Sequence, residues 1–151
     1  VWPGSIKPGS VSDEPISGQD VVATIAALAG QPIDRSKVMD SMNLLPVFQG
    51  LEIKERHLNL MHQAAGGPTW AIRDGDWKLV IKAYKKIPDF KFKPEKLLVP
   101  GVMQPISLYN LETDLYEKNN LMKNPEHRAR IKAMLERCIE LRKTGHPTIG
   151  N

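Results

Sequence analysis

An Asp-Gly pair between two short apolar runs is the strongest folding signal in this sequence. Residues 70–73 precede Asp74 and Gly75, and the run 76–81 follows them. Such a pair favours a type I′ turn, because Asn, Asp and Gly tolerate the positive φ that both central residues need. The sequence therefore predicts an antiparallel hairpin over residues 70–81 that turns at Asp74-Gly75.

The rest of the second half supplies further strands and one helix. Residues 56–62 alternate imperfectly and could form a strand, and residues 107–111 are a further strand candidate. Asn124 can cap a helix that has Pro125 at its first position and ends before Gly145. Apolar residues recur through it at helical spacing, namely Ile131, Met134, Leu135, Cys138 and Leu141, with Arg142 as the alternative last position. We expect an α+β fold, with an antiparallel sheet of about four strands and a C-terminal helix packed on it.

The first half carries one apolar helix. Asp20 is a suitable N-cap for residues 21–29, and Gly30 with Pro32 closes the helix. Its side chains are apolar almost all round, which predicts burial, and a helix this short is unstable alone. We therefore expect residues 1–50 to be the end of a larger α/β domain and residues 51–151 to be a small α+β subdomain. The opening at Val1-Trp2 is expected to lie within a longer polypeptide.

The basic residues are unevenly placed. The net charge is +4, yet the segment 78–96 alone holds seven lysines against two acidic residues. The 25 residues between Ile81 and Ser107 include four prolines, so they predict a long loop. Two interpretations stay open for the lysines: a solvated loop, or a surface that faces an anionic ligand. No apolar run is long enough to span a bilayer.

Five segments, in chain order, resemble the closing third of the sulfatase family. Residues 2–10 resemble its W-P-G-x-I-x-P-G segment, and residues 20–30 its D-x-x-P-T-x-x-x-L-A-G helix. Residues 40–50 are similar to D-G-x-S-L-x-P-L-L-x-G, residues 71–79 to A-V-R-D-G-x-W-K-L, and residues 108–121 to L-Y-D-L-x-x-D-P-x-E-x-x-N-L. Three positions depart from these patterns, Ala23, Ser41 and Leu115, and they concern local turn geometry.

The resemblance implies sulfate-ester hydrolysis. Members of the family convert a cysteine or serine in C/S-x-P-x-R to formylglycine, and they hold a divalent cation, usually calcium, with Asp and Asn side chains. Those residues precede the W-P-G segment, where this chain begins. The chain is therefore expected to complete the fold and part of the substrate cleft without being catalytic alone. It is expected to bind no cofactor itself, with calcium in the parent enzyme.

The expected partners are the N-terminal sulfatase domain of the parent chain and a sulfate-ester substrate, with no nucleic acid and no membrane. The family implies a periplasmic or secreted protein. A different class of function, a non-catalytic module that binds sulfated polysaccharide through the lysine-rich loop, stays open. So does a structural fragment without activity.

The candidate site residues are substrate contacts only, with no catalytic residue and no metal ligand. His62 follows from the family's polar side chains on the strand before the hairpin, although an ordinary polar loop residue is the alternative. Lys82, Lys85 and Lys86 follow from the basic segment. Cys138 has Arg142 four residues later, but Glu140 stands where the nucleophile motif has proline. A buried core thiol is the better interpretation of Cys138.

Overall fold

The computed structural model describes residues 2–65, 69–83, 103–144 and 149–150. Two compact units are present: Val1–Leu58 with His146–Asn151 (the N-terminal unit), and Asn59–Gly145 (the sheet unit). The boundary after residue 50 stays a prediction. The elements in chain order are α1 (Asp20–Leu28), α2 (Leu45–Gln49), β1 (Arg56–His57), β2 (Leu60–Gln63), β3 (Thr69–Asp74), β4 (Trp77–Ala83), β5 (Met103–Asn110), 3₁₀ turns at Leu121–Lys123 and Pro125–His127, α3 (Arg128–Thr144) and β6 (Ile149–Gly150).

The sheet unit has four antiparallel strands in the order β2-β3-β4-β5. Alternate residues of the strands point to α3, because side chains on a strand face opposite sides in turn. The buried core comprises Trp70, Ile72, Leu79, Ile81, Met103 and Leu108 from the sheet, with Ile131, Met134, Cys138 and Leu141 from α3. The predicted α+β class, with a helix on a four-stranded sheet, is confirmed.

The hairpin is confirmed, but its predicted turn is wrong by one residue. Asp74 pairs with Trp77, so Gly75 and Asp76 are the two central residues. Gly75 has φ +55, whereas Asp76 is not among the residues with positive φ. A positive φ at the first central position alone is the pattern of a type II′ turn, which takes glycine there.

Strand β5 runs earlier than the predicted strand 107–111. Its register shifts between Val80 and Ile81: Val80 pairs with Ser107, and Ile81 pairs with Pro105. Ile106 is therefore an extra residue in β5, and the bulge accommodates a proline on a strand at the edge of the sheet. The predicted strand 56–62 is likewise two strands, because β1 pairs with β6 and β2 pairs with β3.

Two expectations for helix α1 are wrong. Asp20 is the first helical residue rather than the N-cap, and Gln19, in the cap position, makes no side-chain capping bond. The helix is buried on one side only, at Ala23 and Thr24, while its other apolar residues are 52–59% exposed: Val21, Val22, Ile25 and Leu28. Nothing among the described residues of the N-terminal unit covers this apolar face of α1.

The C-terminal helix is present with a modified start. The Asn124 side chain accepts the Glu126 N–H at 3.0 Å and so caps the short 3₁₀ turn that leads into α3. In the described part of the chain, no helix is both long enough and apolar enough to cross a bilayer.

Candidate functional site: the polar face of the sheet

The strand register gathers polar side chains on the side of the sheet that faces away from α3. We call this surface the polar face; its polar members are His62, Thr69, Arg73, Lys78, Lys82, Gln104, Ser107 and Tyr109. Ala71, Val80 and Ser107 form its central row, in line with His62 on β2, and the buried Leu60 lies opposite Arg73. The face thus has short side chains in the middle, basic residues on both sides of them and one buried apolar residue beside Arg73.

His62 lies on this face beside Ala71. Although the residue is exposed, partial desolvation of the ring lowers its pKa below the ordinary 6.5, and the nearby charges of Lys78 and Arg73 lower it further. The neutral form of the imidazole is therefore favoured. In that form it can both donate and accept a hydrogen bond.

Lys78 has an acidic partner in the loop that follows β5. Its Nζ lies 2.5 Å from Glu117 Oε1, and both side chains are about two-thirds buried or more, at 27% and 33% exposure. Glu117 is the one described non-glycine residue with positive φ, at +55. Since a non-glycine residue rarely adopts this conformation, the loop around it must hold Glu117 in place.

The loop is held by Asp114. Its carboxylate accepts the backbone N–H groups of Asn119, at 2.7 Å, and of Lys118, at 3.0 Å. These two hydrogen bonds lower the pKa of Asp114, and the bond from Asn119 has the larger effect. The Asp114 backbone N–H in turn bonds to the Asn110 carbonyl at 2.9 Å. The Glu117 carboxylate is therefore presented to Lys78 from a well-bonded loop.

The predicted substrate contacts are only partly within the described residues. Lys82 lies on the polar face, paired with Thr69 on one side and Gln104 on the other. His62 and Lys82 are thus on one face, two strands apart. Lys85 and Lys86 lie outside the described residues, as does most of the lysine-rich loop. The role of all four residues as substrate contacts stays a prediction.

The sequence interpretation missed Arg73, Lys78 and Tyr109 as members of this surface. Arg73 also has a contact within the hairpin, where its Nε donates to the Gly75 carbonyl at 2.8 Å. The missing signal was the register: Arg73 pairs directly with Lys78, and Lys78 pairs with Tyr109. Counting outward from a turn at Gly75-Asp76 places Arg73 opposite Lys78, whereas the position of Tyr109 depends on the separate pairing of β4 with β5.

A buried Asp-His pair in the N-terminal unit deserves comparison with a catalytic dyad. His57 Nε2 lies 2.9 Å from both oxygens of Asp20, and both side chains are fully buried. The nearest hydroxyl in this network, on Ser41, already donates to the Gln19 carbonyl and accepts the Ala23 N–H. Because both side chains are fully buried and the Ser41 hydroxyl is already hydrogen-bonded, we interpret the pair as a structural element.

Cys138 is a core residue, as the sequence indicated. It is 0% exposed, and burial raises the pKa of its thiol to about 11. A thiol with such a pKa is protonated at neutral pH and is a poor nucleophile.

A metal cage is not formed in the described ranges. No group of three or more His, Cys, Asp or Glu side chains converges in residues 2–65, 69–83, 103–144 and 149–150. Calcium needs six or more oxygen ligands around one point. These residues therefore do not fit the calcium that the family resemblance implies.

Known proteins resemble this chain in both sequence and fold. No family model matches the chain. Human steryl-sulfatase is 36% identical over 61 residues, which cover 40% of this chain and 10% of that protein. Choline-sulfatase of Rhizobium meliloti (strain 1021) is 32% identical over 113 residues, covering 74% of this chain and 18% of that protein. This chain belongs to the sulfatase family.

The fold comparison agrees with the sequence comparison. The structure of BT4656 in complex with its substrate, D-glucosamine-2-N,6-O-disulfate, matches 94% of this sulfatase chain with a TM-score of 0.66 and 18% identity, and is itself matched over 27% of its length. The chain thus spans 10% and 18% of the length of the two sulfatase relatives, and 27% of the length of the protein in this structure.

Proposed function

We propose that this chain is the C-terminal part of a sulfuric ester hydrolase, which completes the fold and part of the substrate cleft and is not catalytic alone. The observation that carries the proposal is sequence similarity to sulfatases along most of the chain, in a segment far shorter than those proteins. The sequence contains no C/S-x-P-x-R motif, so the nucleophile would come from a preceding segment of the same polypeptide. Calcium would be held there too, and the parent protein would be periplasmic or secreted.

The exposed side of α1 supports a partner in that preceding segment. Val21, Ile25 and Leu28 lie at spacings of four and three residues and are each more than half exposed. An apolar groove of about 430 Å³ also opens in the N-terminal unit, lined among others by Ile6, Val11 and Phe48. Large apolar side chains exposed together usually mark a surface that another element covers. The N-terminal sulfatase domain is the occupant we propose.

His62 and Lys82 are the described residues that we propose as substrate contacts. In the longer protein, His62→Ala and Lys82→Gln should each raise KM for a sulfated saccharide about threefold to tenfold, because each would remove a polar contact to a charged group. The value of kcat for a small aryl sulfate should change little. Steady-state kinetics with both substrates measure this.

A control substitution distinguishes the loss of a contact on the polar face from the loss of one positive charge anywhere on the chain. Lys132 lies on α3, 77% exposed, so Lys132→Gln removes one positive charge away from the polar face. Its KM should equal that of the parent protein. If all three variants behave alike, the polar face does not contribute to the cleft.

A further inference from the structure

We propose that Arg73 and Lys78 form an anion-binding pair on the polar face that takes a sulfate group of a multiply sulfated saccharide, with Glu117 as its internal competitor. The assignment of the ligand class rests on the proposed function. It goes beyond that function by giving Arg73, Lys78 and Glu117 roles in substrate specificity.

The strand register supplies the first argument. Arg73 and Lys78 are directly opposite each other on β3 and β4, and like charges in this position destabilise a sheet. Lys82 adds a third positive charge on the same face, two pairs further along the hairpin. An anion bound between Arg73 and Lys78 would offset this repulsion and so stabilise the sheet.

The distribution of carboxylates supplies the second argument. Among the described residues, Glu117 forms an ion pair with Lys78 and with no other basic side chain. In the described part of the chain, no carboxylate oxygen lies within 4 Å of the Arg73 guanidinium, whose Nε bonds to a backbone carbonyl instead. The charge of Arg73 is therefore not neutralised by a neighbouring side chain.

The shape and chemistry of the surface supply the third argument. Ala71, Val80 and Ser107 in the central row carry no long side chain, and Val80 and Ser107 are partly exposed, so a sugar ring can lie over that part of the row. A guanidinium can donate two parallel hydrogen bonds to one sulfate, which makes Arg73 the expected principal contact. Tyr109 lies opposite Lys78, and His62 lies one row away, opposite Ala71; both side chains can bond hydroxyl groups of a sugar.

Glu117 provides a test in which binding should improve. Glu117→Gln keeps the shape of the side chain and removes the charge that competes with the ligand for Lys78. The variant should bind a sulfated disaccharide about two to five times more tightly, the range set by one partly exposed ion pair. Arg73→Gln and Lys78→Gln should bind it more weakly by a similar factor, and Lys132→Gln should not change.

The measurement is an NMR titration of the 151-residue chain at low salt. The probes are a disulfated disaccharide, its unsulfated counterpart and a hexuronate oligomer that carries carboxylates only. We expect binding of the first probe, weakened by added salt because the contacts are exposed charges, and little binding of the other two. Amide spectra of each variant establish that the fold is intact.

Opposite signs for Glu117→Gln and Arg73→Gln cannot arise from general loss of structure. The proposal is overturned if Glu117→Gln leaves affinity unchanged or lowers it, or if the hexuronate binds as tightly as the disulfated sugar. Neither result bears on turnover, so the proposed function can stand without this site. Conversely, this chain could bind the disulfated sugar selectively while the longer protein hydrolyses no sulfate ester. That pair of results would support the anion-binding site and contradict the proposed function.

Discussion

Asp20→Ala should destabilise the N-terminal unit by about 3 kcal/mol. The Asp20 carboxylate is fully buried and accepts the Ser17 N–H at 2.6 Å and the Met42 N–H at 2.8 Å, besides its contacts with His57. Its removal would leave two backbone donors and an imidazole buried without their partner. Each buried polar group that loses its hydrogen-bond partner costs roughly 1–3 kcal/mol.

Hydrogen exchange locates this effect. The Met42 amide, bonded to Asp20, and the Leu44 amide, bonded to Thr24, should lose about a hundredfold in protection. Asp34→Ala is the matched control, because the Asp34 side chain is exposed and its partners among the described residues are its neighbours Ser36 and Lys37. It should change stability by less than about 0.5 kcal/mol. Equal effects of the two substitutions would show that the Asp20 network contributes nothing particular to the fold.

Ile25→Lys should act very differently in this chain and in the longer protein. Ile25 is 59% exposed on α1, so the substitution in the 151-residue chain should change its free energy of unfolding by less than about 0.5 kcal/mol. If a preceding domain covers that helix face, the same lysine would be buried without a partner. The cost would then be at least about 3 kcal/mol.

Urea unfolding of both proteins, with and without the substitution, measures this difference. Gln31→Lys is the control, since it introduces the same charge at an exposed position just beyond α1. It should be neutral in both proteins. A small effect of Ile25→Lys in the longer protein would contradict the assignment of this face to a domain contact.

Local patterns were enough to predict the sheet unit. Turn residues flanked by apolar runs gave the hairpin, and apolar spacing in α3 gave the buried positions 131, 134, 138 and 141. These features depend on neighbours within a few residues, where spacing and turn chemistry act directly. The resemblance to sulfatases was also carried by short motifs in order.

The polar face required a register that the sequence did not determine correctly. A turn centred on Asp74-Gly75 would set Arg73 opposite Asp76, an attractive pair. The observed turn sets Arg73 opposite Lys78, which gives the face its unbalanced charge. The shift arises because glycine occupies the first central position of the turn rather than the second.

Local sequence patterns also could not predict contacts between segments that are far apart in the chain. His57 reaches Asp20 across 37 positions, and β1 pairs with β6 almost a hundred residues later. The exposure of α1 was missed because an all-apolar helix predicts burial whatever covers it. Among the described residues of the N-terminal unit, nothing covers its exposed apolar side chains.

Sulfate release from an aryl sulfate, with the 151-residue chain and the longer protein assayed side by side, tests the central proposal most directly. The longer protein should turn over the substrate in a metal-dependent way, whereas this chain should not exceed a heat-inactivated control, since the covalent nucleophile would lie outside it. Absence of turnover by the longer protein with any sulfate ester, or metal-dependent turnover by residues 1–151 alone, would contradict the account.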